Sequence, residues 1–150
     1  GNPYLKQFNK NINYLDIVII TLHRNENIDI IDKWFREMES ISLKFKDLKF
    51  FFIKNKNPKI LKNIEILKNI KTIEPLKHAK MIELIKKCKF VISDSGGLQE
   101  ETFYFKKKII VCREETERNL DYYKNIYLCQ KIEFLEYLVK EIDKDYKPIY

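Results

Sequence analysis

Apolar residues recur along this chain in short runs that alternate with stretches of helical spacing. Tyr14–Thr21 is a compact run rich in Ile and Val, and its length and branching predict a buried strand. Ile28–Phe45 then takes a helical period, with Ile31, Trp34, Phe35, Met38 and Ile41 able to form one stripe. The alternation continues with a strand at Leu48–Ile53 and a helix at Pro58–Leu67, whose proline suits a first turn. A short strand at Ile70–Ile73, a helix at Lys77–Cys88, a strand at Phe90–Ser93 and a helix at Gly97–Phe105 follow. Lys108–Cys112 and Asn125–Cys129 predict two more strands, and Ile132–Ile142 a last helix. No repeat, low-complexity tract or linker interrupts the series, so residues 1–150 read as one domain.

Strands alternating with helices across short loops predict an α/β domain, a Rossmann-like parallel sheet with helices on both faces. In such sheets ligands bind beyond the carboxyl ends of the strands, where the strand order reverses. With the common order 3-2-1-4-5-6, strands one and four are neighbours at that point. The loops that leave them are Leu22-His23-Arg24-Asn25-Glu26-Asn27 and Asp94-Ser95-Gly96-Gly97, two polar segments unlike the lysine-rich remainder of the chain.

Composition narrows the function. The apolar fraction is 45%, that of a globular protein, and no apolar run approaches the ~20 residues of a membrane span. The N-terminus lacks a basic region leading into an apolar stretch, so neither a signal peptide nor a membrane attachment is expected. Cys88, Cys112 and Cys129 lie far apart in apolar segments, without metal-type pairing, and predict reduced core cysteines in a cytoplasmic protein. The net charge of +7 invites an anionic partner. Lysine, however, is scattered over every helix, and no basic–aromatic cluster marks a nucleic-acid face. Ala79 is the sole alanine, so the skew towards Lys, Asn, Ile, Phe and Tyr reads as a general bias.

Against that bias the rare residues stand out. There are three glycines, two of them adjacent at Gly96-Gly97. Of four arginines, Arg24, Arg113 and Arg118 fall in short polar segments after apolar runs, which points to the forked anion recognition that lysine cannot reproduce.

Ser93-Asp94-Ser95-Gly96-Gly97-Leu98-Gln99-Glu100-Glu101 takes a strand through a glycine turn into a helix. Glycines let a ligand approach the backbone, and the first helical N–H groups are unpaired donors at the positive end of the dipole. This is a site for phosphate or pyrophosphate, with the Ser95 hydroxyl as an added donor; a plain turn with Ser95 as N-cap has the same sequence. Glu101, one turn after Gly97, suits sugar hydroxyls beside the phosphate. In the first loop, His23 and Arg24 can hold a diphosphate from the opposite side, whereas a solvated loop with Asn27 capping the next helix is the alternative. Arg113-Glu114-Glu115-Thr116-Glu117-Arg118, after strand five, is placed to border the same cleft, although mixed charge is often mere solubility. His78, at a lysine-rich helix start, reads as a surface residue without polar company.

These three segments, in this order and spacing, resemble the UDP-N-acetylglucosamine 2-epimerases, which interconvert UDP-GlcNAc and UDP-ManNAc. The resemblance runs from Thr21 to Arg118, is most specific over Asp94–Glu101, and favours the non-hydrolysing branch. Gly1-Asn2-Pro3 also resembles the strand-end motif where the family's N-terminal domain hands over to the C-terminal one. The resemblance implies one half of a GT-B-type fold, two Rossmann-like domains facing one another across a cleft. It implies that Ser95, Gly96 and Gly97 hold the diphosphate of a UDP-sugar and Glu101 the ribose hydroxyls. His23 would support the leaving phosphate as the catalytic residue of this half, with Arg24 beside it. Met81 falls near the uracil, and Arg113, Glu117 and Arg118 border the diphosphate and sugar. The implied reaction is anti elimination of UDP to a glycal, then re-addition to the opposite face of C2, with no metal or redox cofactor. A cytoplasmic role in cell-surface polysaccharide biosynthesis, and a homodimer among the possible assemblies, come with the family.

Three departures qualify the resemblance. Asn119-Leu120 replaces the family's Pro-Glu after Thr-Glu-Arg. Asn55 stands where many bacterial members carry a histidine linked to allosteric activation by substrate. The chain ends at Tyr150, about where a Gly-Asp-Gly segment and closing helix would follow, and the family's proton-transfer carboxylates belong to the N-terminal domain. Asp94 reads as a structural strand-end residue, and Glu114 and Glu115 as solvated. The chain is therefore expected to bind but not to turn over alone. A non-catalytic nucleotide-sugar-binding module and half of a GT-B glycosyltransferase are the other readings.

Overall fold

The computed structural model describes residues 16–116, 119–120 and 122–144. Six strands form one parallel sheet: β1 (Ile17–Thr21), β2 (Lys49–Ile53), β3 (Lys71–Ile73), β4 (Phe90–Ser93), β5 (Lys108–Val111) and β6 (Ile126–Leu128). Their order is β3-β2-β1-β4-β5-β6, with β1 hydrogen-bonded to β2 on one side and β4 on the other. The order therefore reverses between β1 and β4, as expected for a doubly wound sheet. Among the described residues six α-helices accompany it: α1 (Asn25–Ile28), α2 (Ile31–Lys44), α3 (Pro58–Asn63), α4 (His78–Lys87), α5 (Gly96–Tyr104) and α6 (Leu135–Lys144).

The central strands read as unbroken apolar runs because both their faces are covered. Alternate residues feed two separate cores. Val18, Ile20, Phe50, Phe52, Phe90, Ile92 and Ile110 pack on one face with Trp34, Phe35, Met38 and Ile41 of α2, Ile60 of α3 and Val139 of α6. Ile17, Ile19, Phe51, Ile53, Val91, Ile109 and Val111 pack on the other with Leu84 and Ile85 of α4 and Leu98 of α5. Phe35 and Phe52 meet edge to face, ring centroids 4.9 Å apart. Burial of these side chains, each contributing about 1.5–3 kcal/mol, is the main force holding the sheet between its helices.

The elements follow the sequence pattern, with adjustments at their ends. The expected helix Ile28–Phe45 is two helices, broken at Ile30, whose φ of −122° and ψ of 33° are not helical. The apolar stripe directs α2 onto the sheet, whereas the short α1 is held by polar contacts of Asn27 described below; one straight helix does not serve both. Pro58–Leu67 likewise resolves into α3 and a 3₁₀ turn at Ile64–Ile66, and a 3₁₀ turn at Ile132–Phe134 precedes α6. Asn125–Cys129 shortens to β6. No helix among the described residues is long and apolar enough to cross a membrane.

Candidate functional site

The loops after β1, β4 and β5 come together at the carboxyl end of the sheet, and Asp94 is what joins the first two. This side chain, 1% exposed, accepts hydrogen bonds from the backbone N–H of His23 at 2.9 Å and of Arg24 at 2.9 Å. It also accepts one from Asn27 Nδ2 at 2.9 Å. Asn27 Nδ2 donates in addition to the Cys112 carbonyl at 2.8 Å, and Asn27 Oδ1 accepts from Trp34 Nε1 at 3.1 Å. One buried amide thus ties the ends of β1, β4 and β5 to α2. Below it, the Thr21 and Ser93 hydroxyls lie 2.6 Å apart across the β1–β4 pair. The sequence placed Asp94 correctly as a structural residue. The alternative reading, a solvated loop with Asn27 capping the next helix, does not hold: α1 begins at Asn25, and Asn27 is buried inside the network. A lone Asn in a loop carries no signal of that role.

The Ser-Gly-Gly turn opens α5 as anticipated. Ser95 is its N-cap, with extended backbone and its Oγ accepting from the Leu98 N–H at 3.4 Å. That leaves the hydroxyl proton for another acceptor, so capping and ligand donation are compatible. Neither glycine is demanded by side-chain packing or by backbone conformation. A Cβ at Gly96 would meet nothing within 4 Å, one at Gly97 only Ser95 Oγ at 3.8 Å, and neither has positive φ.

One turn further, Glu101 is 25% exposed by side chain, and its Oε1 lies 3.2 Å from His78 Nε2. Its Oε2 is buried and has no hydrogen-bond partner, a costly arrangement for a carboxylate oxygen. His78 is exposed, as expected, but the expectation that it lacks polar company is wrong. It opens α4, which packs beside α5 on the same face, and it meets a residue 23 positions away. Met81, one turn along α4, is half-buried against that face's core. Nothing in the local sequence around His78 announces the meeting.

His23 is exposed. Asn55, in the loop after β2, donates through Nδ2 to the Leu22 carbonyl at 2.9 Å, and the same nitrogen lies 3.5 Å from His23 Nδ1. Arg24 pairs with Glu26, and that hydrogen bond, with a smaller contribution from the Arg113 charge, holds the Glu26 carboxyl below its ordinary range. Arg24, Glu26, Arg113, Glu114 and Glu115 line an open recess of about 350 Å³. The two arginines thus share one recess, and Glu114 and Glu115 are exposed. Glu117, Arg118 and Gly1–Pro3 lie outside the described residues. The three cysteines are buried and free.

Fold and site together define a class: a doubly wound Rossmann-like domain with a strand–Gly-Gly–helix turn at its switch point. A family model described as UDP-N-acetylglucosamine 2-epimerase matches residues 3–133, and the chain belongs to that family. It is 34% identical over 123 residues to the UDP-N-acetylglucosamine 2-epimerase of Campylobacter jejuni, covering 79% of this chain and 31% of that protein. The enzyme of the same name from Methanococcus maripaludis is 33% identical over 134 residues, covering 82% of this chain and 36% of the relative. The chain thus spans about a third of the length of such relatives. Among solved structures, Staphylococcus aureus MnaA with UDP superposes with a TM-score of 0.81 at 25% identity, over 97% of this chain and 40% of the other. The Neisseria meningitidis UDP-GlcNAc 2-epimerase bound to UDP-GlcNAc superposes with a TM-score of 0.76 at 25% identity, over 93% and 41%. An Escherichia coli heptosyltransferase with ADP shares the fold alone, at a TM-score of 0.65 and 10% identity over 86% and 45%. The fold is accordingly the Rossmann-like half of a GT-B-type arrangement.

Proposed function

We propose that this domain binds the UDP moiety of a UDP-N-acetylhexosamine and forms one wall of a 2-epimerase active site interconverting UDP-GlcNAc and UDP-ManNAc. The observation that carries this is Glu101 Oε2, a buried carboxylate oxygen without a partner, one helical turn from the side-chain-free start of α5. A nucleoside diphosphate answers both features at once. Its phosphates take the N–H groups of Gly96 and Gly97, the dipole of α5 and the Ser95 hydroxyl. Its ribose hydroxyls donate to Glu101, and Met81 offers the base an apolar side.

Arg24 and Arg113, which line one recess, add charge at the diphosphate. His23, on the opposite loop, donates a hydrogen bond to the phosphate oxygen that departs. In the elimination a general base removes the C2 proton, the C2–H electrons form the C1=C2 bond, and the C1–O electrons leave with UDP. Re-addition of UDP with protonation of the other C2 face completes the inversion. The base needs fixed placement near C2; Glu114 and Glu115 are exposed, and Asp94 is occupied by three donors, the N–H groups of His23 and Arg24 and Asn27 Nδ2. The family resemblance implies a second domain, which would supply the C2 carboxylates, close the cleft and exclude water.

Calorimetry and proton NMR test the proposal. The 150-residue chain should bind UDP more tightly than uridine and leave UDP-GlcNAc unchanged, without exchange of the C2 proton into solvent. Adding the N-terminal domain of a matching epimerase should start both exchange and formation of UDP-ManNAc. Failure to bind UDP overturns the assignment of the site, and turnover by the chain alone overturns the assignment of the base.

A further inference from the structure

We propose that Asn55 sets the tautomer of His23, placing the ring proton on Nε2 so that the residue meets its ligand as a hydrogen-bond donor. The inference rests on the orientation of one amide. Asn55 Oδ1 accepts from the backbone N–H of Asn57 at 2.9 Å. Asn55 Nδ2 donates to the Leu22 carbonyl at 2.9 Å. A flipped amide would set NH₂ against N–H at one end and oxygen against oxygen at the other, so the two contacts together fix which atom is which. The second hydrogen of Nδ2 is then the one facing His23 Nδ1, at 3.5 Å.

A nitrogen that faces an amide hydrogen has to offer its lone pair. In the neutral imidazole one nitrogen accepts and the other carries the proton, and the hydrogen bond made by one decides the state of the other. Nδ1 is the acceptor, so Nε2, on the far side of the ring from Asn55, is N–H. The backbone of His23 is meanwhile held by the Asp94 carboxylate. The imidazole is thus anchored at its main chain by β4 and set in its protonation pattern by the loop after β2. Asn55 acts through His23, as a positioning residue. That the donor serves the departing phosphate rests on the function proposed above; the tautomer does not.

The chain has two histidines, so long-range ¹H–¹⁵N NMR of the imidazoles resolves both, and His78→Gln identifies the His23 signals. At about pH 8, above the ordinary histidine range, His23 should show a pyridine-type Nδ1 and a pyrrole-type Nε2. Asn55→Asp keeps the acceptor for Asn57 and replaces the donor by a carboxylate, so the proton should move to Nδ1. Asn55→Ala should leave a mixture. A wild-type ring protonated mainly on Nδ1, or a ring unchanged in folded Asn55→Asp, overturns the proposal; if that variant does not fold, the wild-type and Asn55→Ala spectra decide. UDP titrated into the wild type should shift Nε2 and bind about tenfold more weakly to Asn55→Asp. The expected tautomer with an Nε2 indifferent to UDP would instead remove His23 from the phosphate site and leave the tautomer assignment standing.

Discussion

The Asp94 carboxylate lies 2.9 Å from the backbone nitrogen of His23, a contact between residues 71 apart in the chain. It makes the glycine turn of β4 and the His-Arg loop of β1 a single unit. Beyond its strand and the Asn55 contact at Leu22, the loop end is fixed by a buried carboxylate accepting from two successive amides and the Asn27 side chain.

Asp94→Asn should therefore destabilise the fold and loosen the site together. The substituted NH₂ must face one of the donors now satisfied, His23 N–H or the Arg24 and Asn27 pair. The expected loss is about 1–3 kcal/mol in denaturant unfolding. UDP affinity should fall more than this substitution's distance from the ligand would suggest. Unfolding equal to wild type would show that the carboxylate is not what ties the loops.

Gly96→Ala separates binding from folding. Its Cβ would meet no protein atom within 4 Å, and alanine is the better helix former, so thermal stability should hold or rise slightly. Affinity for both UDP and pyrophosphate should drop at least about tenfold, about 1.4 kcal/mol, because the methyl group stands where the phosphate approaches the backbone. Undiminished binding in calorimetry would move the phosphate elsewhere.

Glu101→Ala should discriminate between ligands. Loss of charge-assisted hydrogen bonds of about 1.5–3 kcal/mol should weaken UDP tenfold or more while pyrophosphate binds as before. Equal losses for the two would mean that Glu101 acts through the helix and not through the ribose. Removing the orphaned Oε2 should also spare the free protein its cost, so the variant should not be less stable.

Cys88 predicts a pH dependence. Burial pushes its thiol from the ordinary 9.0 up to about 12, against a smaller opposing effect of Lys107. Between these values the folded protein keeps a proton that the unfolded chain loses. Stability from this group is full below pH 9 and falls as pH rises, at up to about 1.4 kcal/mol per unit. Cys88→Ala should flatten that limb of the unfolding curve relative to wild type. Parallel curves would show that the thiol is not shielded as its burial requires. The folded protein should likewise resist alkylation at neutral pH, since the thiolate is the reactive form.

The sequence by itself determined the order of strands and helices, the class of fold and the segments that meet at the switch point. Those follow from local rules: a run such as Ile17–Thr21 is too short and branched for a helix, and Gly96-Gly97 after a strand has few uses. It also placed Ser95, Gly96, Gly97 and Glu101 on one helix start, because their spacing along a helix is independent of the rest of the chain. Only the tertiary structure decided which side chains from different loops touch. Asn27 became a buried junction, His78 the neighbour of Glu101, and Asn55 the partner of His23, each across at least 23 residues of chain. Polar residues of this kind look alike in sequence whether they face water or one another. What distinguishes them is the tertiary arrangement: the parallel pairing of β1 with β2 and β4 sets the loops of Asn27, Asp94, Asn55 and His23 side by side, and α4 packed beside α5 brings His78 to Glu101.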